Sequence, residues 1–515
     1  MDTFTNAIIS NKFAGIRRIN SYFSNACITA SDIQNVELFN TEINSGVGIR
    51  TMKGNDALYE FEDDDEKIIN IFESVQGQDT VYFIHTVNDS EGKIYLYNPT
   101  SNTTTLKVSE LSDSEYSTGV DFAQGWSDLF VFSNGVEILT IQLGHYNNNN
   151  ELDEVTIFTP QDEDGRDVKG FGLVVYNGRL WIFDKNVLWY SVKGDCYHFN
   201  STSLSTSGGY IEFVKNITAI APYLGSLAVF HKDSSCLVNT GSDDDYSVSD
   251  ESPGGCASAN SLVFHGTQLY FYDDTKKSVF AFSQIVNGDK TLSDNLAKDV
   301  QNELMKIKAS KVDDIKMISV IQSDRNEIWF LLPSEDDTST VLIFDYLHSE
   351  WVKRKSQKLK TLTTLNGELY SSSNNKILKE YMGETFDGEI IEAFYKCSAL
   401  NLGVDNTMKI LYTPPRITLD MSYNSDFYIR YINNYDSLKK QKNKHIKAKA
   451  IKDIFYWDIS YWDSTAIFKP KETNSIKRMP VSCFQTLEIH FYTKTKNQGF
   501  AIKNIEFSKI KVKQL

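Results

Sequence analysis

The sequence predicts an all-β chain: a β-propeller of about seven blades, six being the alternative count, followed by a smaller C-terminal β-sandwich-like domain. Three observations predict it. An aromatic-rich strand recurs seven times at nearly even spacing. Glycine turns precede several of its copies. Aromatics are plentiful (Tyr 27, Phe 31, Trp 7) while prolines number only 9, which favours strands joined by polar turns over helical bundles.

The recurring strands read DTVYFIHT from Asp79, DLFVFSNG from Asp128, GRLWIFDK from Gly178, GSLAVFHK from Gly225, TQLYFYDD from Thr267, NEIWFLLP from Asn326 and GELYSSSN from Gly367. Their starts are separated by 49, 50, 47, 42, 59 and 41 residues. Before several of them stand turn pairs, Asn177-Gly178, Leu224-Gly225, His265-Gly266 and Asn366-Gly367, where glycine supplies the positive φ of a tight hairpin. Apolar segments such as GFGLVVY, ITAIAPY and IKMISVI precede the turns, and half-alternating ones such as KIYLYN and VLWYSV follow. Each unit is thus an antiparallel meander that buries its faces only against neighbouring copies, as a propeller blade does.

Residues 1–66 are expected to close or cap the propeller, which occupies 67–386. The longest gap holds KTLSDNLAKDVQNELMKIKAS, with Leu292, Leu296, Val300, Leu304 and Ile307 at helical spacing, so a helical insertion is expected near 290–310. A C-terminal β domain follows over 387–515, interrupted by a lysine-rich linker at 437–452. Charge also changes there. Residues 401–515 carry 20 Lys and Arg against 10 Asp and Glu, whereas the whole chain has a net charge of −16; the two parts are expected to face different neighbours.

No run of about 18 apolar residues is present to span a membrane, and MDTFTNAIISNKF has no features of a secretion signal. Six scattered cysteines without CxxC spacing read as reduced residues. GxSxG, Walker, HExxH and GxGxxG motifs are all missing. The expectation is therefore no enzyme, no catalytic or metal site and no cofactor. The remaining candidate is a docking run, Lys439, Lys440, Lys442, Lys444, Lys447 and Lys449, a contact for an acidic surface more than for nucleic acid, since it lacks arginine and interleaved aromatics.

Three stretches resemble the tail nozzle and tail hub (stabilisation) proteins of short-tailed bacteriophages, crAss-like phage tail components included. They are GRLWIFDKNVLWYSVKGDCYHFN, GYIEFVKNITAIAPYLGSLAVFHKDSSCLV, and ESPGGCASANSLVFHGTQLYFYDD with the later VLIFDYLHSEWVKR and GELYSSSNNKILKEYMGETFDGEII. ITASDIQNVELFNTEINSGVGIRTMKG is similar to that family's opening segment. The resemblance implies a structural virion protein, made in the host cytoplasm and placed in the tail. It implies a homo-oligomeric ring of six below the portal or adaptor, with tail fibre or other distal proteins as further partners and genomic DNA passing through without specific recognition. The alternative is a receptor- or glycan-binding propeller at the tail tip.

Overall fold

The computed structural model describes residues 3–5, 8–10, 12–17, 28–41, 46–400 apart from 78, 100, 148–149, 201–206, 242–244, 287–288 and 335, and then 402, 408–411, 415–420, 422–433, 442–448, 474–476, 484–493, 495–507 and 510–513. The chain is nearly all β and divides into two compact units. One comprises 57–340 and 357–380, the other 1–56, 341–356 and 381–515.

Seven successive sheets have their first strands between Lys67 and Leu365 among the described residues; six are four-stranded, the fourth with a short fifth strand, and the seventh has six strands, ending in Thr385–Phe386 and Glu389–Ile390. The first runs Lys67–Gln76, Asp79–Val87, Gly92–Asn98, Thr103–Leu111, and the third Phe171–Tyr176, Arg179–Asp184, Val187–Tyr190, Gly209–Glu212. Each of the seven recurring aromatic segments is the second strand of its sheet, from Asp79–Val87 to Glu368–Ser373. The seventh sheet takes its fourth strand from far upstream, Asn55–Glu60 pairing beside Lys376–Glu380. That strand lies inside the 1–66 segment expected to close the repeat.

First strands follow one another in a circle. Lys67–Gln76 touches Thr118–Gln124, which touches Phe171–Tyr176, which touches Ile217–Tyr223. The circle continues through the 3-10 turn Ala259–Ser261 and Leu262–His265 to Lys316–Gln322, then to Thr361–Leu365, and back to Lys67–Gln76. The arrangement is propeller-like.

Packing between sheets explains why the second strands read as unbroken apolar runs. Successive side chains of a strand point to opposite faces. Leu180 and Ile182 accordingly join Leu129, Val131 and Trp189 in one core, while Trp181 and Phe183 join Leu227 and Val229 in the next. In the fourth sheet, Ala228 and Phe230 turn the other way and meet Leu269, Phe271 and Phe282. Residues of the last and first sheets share a core as well, with Leu365, Tyr370 and Ile377 against Ile68, Ile71, Tyr82 and Ile84.

Turn chemistry matches the hairpins. Asn177 and Gly178, Leu224 and Gly225, and Asn366 and Gly367 all have positive φ at both positions, the type I′ geometry that suits twisted strands. At His265-Gly266 only the glycine does.

Two expectations are corrected. In place of a helix over 290–310 there is one α turn, Gln301–Leu304, followed by a 3-10 segment, Ala309–Asp314. The helical spacing of apolar residues is real, and Val300, Leu304 and Ile307 are buried. However, Asp289–Leu292 is taken as the fourth strand of the fifth sheet, and the Ser293 hydroxyl accepts from the Ala281 N–H and caps no helix. The lysine-rich 437–452 segment is likewise no plain linker. Lys442–Ala448 is a strand paired with Ser425–Asn433, Phe427 opposite the buried Ile446; alternation over KNKHIKA outweighs its charge.

The second unit interleaves both ends of the chain. Ile28–Gln34 pairs with Phe13–Ile16 and Phe394–Cys397, in a sheet that continues through Leu487–Tyr492, Ser425–Asn433 and Lys442–Ala448. Val36–Asn40 and Val47–Thr51 lead through Ala501–Phe507 to Arg416–Leu419. Asn35, buried and at φ 54, ties these strands together. Its N–H donates to the Lys353 carbonyl, its Nδ2 to the Lys355 and Glu392 carbonyls, and its Oδ1 accepts from the Lys355 N–H. Beside it Asp32 bridges Lys353 and Lys396, each at 2.9 Å. Residues 28–51 thus belong with the C-terminal strands, a partition different from the sequence boundaries at 66 and 386.

Leu224 is the odd residue among the type I′ turns, at φ 46 and largely exposed. A leucine there is strained by about 1 kcal/mol relative to residues that tolerate the left-handed region. Leu224→Asn is expected to raise stability by about that amount, read as a higher denaturant midpoint in urea unfolding; an unchanged or lower midpoint contradicts this account.

Candidate functional site

Where the circle of first strands begins, a cavity of about 300 Å³ opens at one end of the seven-sheet unit. Its walls come from the starts of three first strands, at Asn70, Lys316 and Thr361, and from the connections that hold Glu115–Ser117 and Asn260. Buried apolar side chains, among them Ile69, Ile315, Leu332 and Leu359, back its walls, whose exposed surface is mostly polar.

Asn70 organises the polar part. The pairing of Lys67–Gln76 with Asp79–Val87 shifts register between Ile68 and Asn70, and a bulge of this kind re-aims a side chain. Asn70 Nδ2 donates to the Ser117 carbonyl at 3.1 Å, and its Oδ1 accepts from the Thr361 hydroxyl at 3.2 Å and from Lys316 Nζ at 3.2 Å. Lys316 also reaches Asn260 Oδ1 at 3.5 Å.

Lys316 is the unusual group. Among the described residues no carboxylate stands within ion-pairing distance of its ammonium, and packed protein around it pushes the amine down to about 8. The other charges at the cavity are arranged differently. Glu115 lies 2.6 Å from Lys360, which holds the carboxyl below its usual range, and Lys311 pairs with Asp314 at 3.1 Å. Asp313 is pushed upward by burial and by the neighbouring Asp314 charge. Such a site can hold a small anion, hold a neutral carbonyl oxygen, or present an amine that is partly neutral near pH 8.

Of the docking lysines, Lys442, Lys444 and Lys447 are backbone members of the strand Lys442–Ala448; Lys439, Lys440 and Lys449 lie outside the described residues. Among the described residues, none of these lysines lines the cavity. Sequence reasoning passed over Lys316, Asn70 and Asn260 because they come from three distant segments; the one local signal is a lysine opening the otherwise apolar IKMISVI strand. Among the described residues no group of three or more His, Cys, Asp or Glu is placed to hold a metal, and no helix is long and apolar enough to cross a membrane. Cys196, Cys236, Cys256 and Cys397 are free and buried; Cys27 and Cys483 lie outside the described residues.

No protein-family model and no curated protein matches the chain. Solved structures do. It is similar to selenomethionine-substituted virginiamycin B lyase from Staphylococcus aureus, at 10% identity and TM-score 0.41, over 63% of this chain and 98% of that one. It is similar also to a streptogramin B lyase (12%, TM-score 0.36, 67% and 96%) and to a catalytically inactive virginiamycin B lyase from S. aureus with quinupristin (10%, TM-score 0.39, 67% and 98%). These similarities are too low to carry an argument about activity here. The expectation of no enzyme is corrected on this finding, because these solved structures that resemble the chain are those of lyases.

His85 lies behind the cavity wall, fully buried, its Nδ1 3.0 Å from the hydroxyl of Ser117 and its ring edge-on to Phe132. Burial pushes its imidazole down to about 3. The native state therefore keeps it neutral while the unfolded chain takes up a proton below about 6.5. Stability is fully present above about pH 6.5 and falls as pH drops toward 3, by at most about 1.4 kcal/mol per pH unit. His85→Asn is expected to flatten the loss of unfolding midpoint between pH 7 and 4.5; an identical slope in variant and wild type removes His85 as its source.

Proposed function

We propose that the chain is a structural subunit of a short-tailed phage tail. In this reading the seven sheets are the blades of a closed propeller, and the strands from the two termini form a β-sandwich-like unit. Six copies ring the DNA path below the portal or adaptor.

The observation that supports assembly is the distribution of exposed apolar side chains. Val75, Trp126, Leu224, Phe264 and Ile321 are exposed, and each stands at or beside a turn joining the first and second strands of a sheet. Those turns share one end of a propeller, opposite the cavity. Several large apolar groups at one end suit an interface better than open water. The sequence resemblance supports the tail assignment itself: its opening segment Ile28–Gly54 contributes strands and the Asn35 tie of the second unit. An acidic excess over the first 400 residues also suits a conduit that must not retain a phosphate backbone.

The reading is tested by light scattering and electron microscopy of the purified chain, alone and with its portal-side partner. A closed ring of six with interfaces above roughly 1,000 Å² is expected. Trp126→Glu combined with Ile321→Glu should leave folded monomers that no longer assemble. A chain that stays monomeric beside the portal and adaptor overturns the proposal.

A further inference from the structure

We infer that the cavity at Lys316 is a binding site for a small organic monocarboxylate, its carboxylate seated on the Lys316 ammonium. The inference rests on the cavity alone and is independent of the tail assignment.

An ammonium has three N–H donors, and two are directed to amide oxygens, Asn70 Oδ1 and Asn260 Oδ1. Neither partner carries charge. The third donor and the full positive charge are left for the cavity. Burying a cation without a counter-charge is costly, and the depressed basicity of this amine registers that cost. A ligand carboxylate supplies both the missing acceptor and the missing charge, in a charge-assisted hydrogen bond of the stronger kind.

The neighbouring charges favour a single negative group. Glu115 and Lys360 are engaged with each other, as are Lys311 and Asp314. Lys358 also lines the cavity, and Asp313, whose carboxyl burial disfavours as an anion, limits the negative charge that can be added. A dianion or a phosphate ester is a poorer fit than a monocarboxylate. The rest of the exposed wall is mostly polar, with Ser117, Ser334 and Ser339 among its residues and the buried Ile315 and Leu331 behind it, and a volume of about 300 Å³ has room for a small organic acid. Asn70 is held in turn by Ser117 and Thr361, so the seat is set before a ligand arrives.

The test is calorimetric titration of the full chain with benzoate and isovalerate, with benzamide as the uncharged control. Carboxylates are expected to bind and benzamide not. Lys316→Met is expected to weaken benzoate binding by about tenfold or more, while Lys316→Arg, which keeps the charge, retains part of it. Binding should be strong below about pH 8 and fall about tenfold per unit above it as the ammonium is lost. Circular dichroism establishes that each variant is folded. Absence of binding by the folded wild type at 10 mM carboxylate, equal binding of benzamide, or undiminished binding by folded Lys316→Met each overturns the inference. Ring assembly, measured separately, is unaffected by any of these outcomes.

Discussion

The fold depends on the second strand of each sheet being buried on both faces. Because side chains alternate, one strand such as Arg179–Asp184 supplies Leu180 and Ile182 to one core and Trp181 and Phe183 to the next. No sheet owns a core of its own, so a single one could not cover its apolar surface and must have two neighbours. That requirement leads to a circle, since any open row leaves two unburied faces at its ends. It also places the first strands side by side around the middle, where the cavity forms.

This constraint decides what was legible. A strand wetted on one face alternates polar and apolar residues, but one buried on both is a continuous apolar run, as VYFIH, LWIFD and LYFYD are. Six of the seven were legible for that reason; Glu368–Ser373, with serines in its second half, was marked instead by the Asn366-Gly367 turn. The segment near 290–310 misled because buried residues at helical spacing also arise when a strand end, a turn and a 3-10 segment pack in succession. The lysine-rich stretch misled because charge was given more weight than strand pairing: Ile446 is buried and stands opposite Phe427.

The cavity was illegible for a different reason. Its polar groups come from residues 70, 117, 260, 316 and 361, spaced far apart and in no motif. Only the circle brings them together. A lysine opening an apolar first strand and an asparagine at a bulge are each unremarkable alone; together they form a polar seat in the cavity. The residues that hold it, Ser117 and Thr361, are buried and lie where first strands start.

The order in which the chain is made has a bearing on the seventh sheet. Its fourth strand, Asn55–Glu60, is synthesised before any other part of the seven sheets, yet its partner Lys376–Glu380 is synthesised near their end. Ile28–Gln34 waits longer still for Leu487–Tyr492, two strands away in its sheet. During synthesis the early sheets can form in sequence on local contacts, while these upstream strands remain unpaired with open edges. Pairings of such large sequence separation form slowly, and unpaired edges are the species that aggregate. The pairing that completes the seventh sheet is therefore also its slowest and most exposed step.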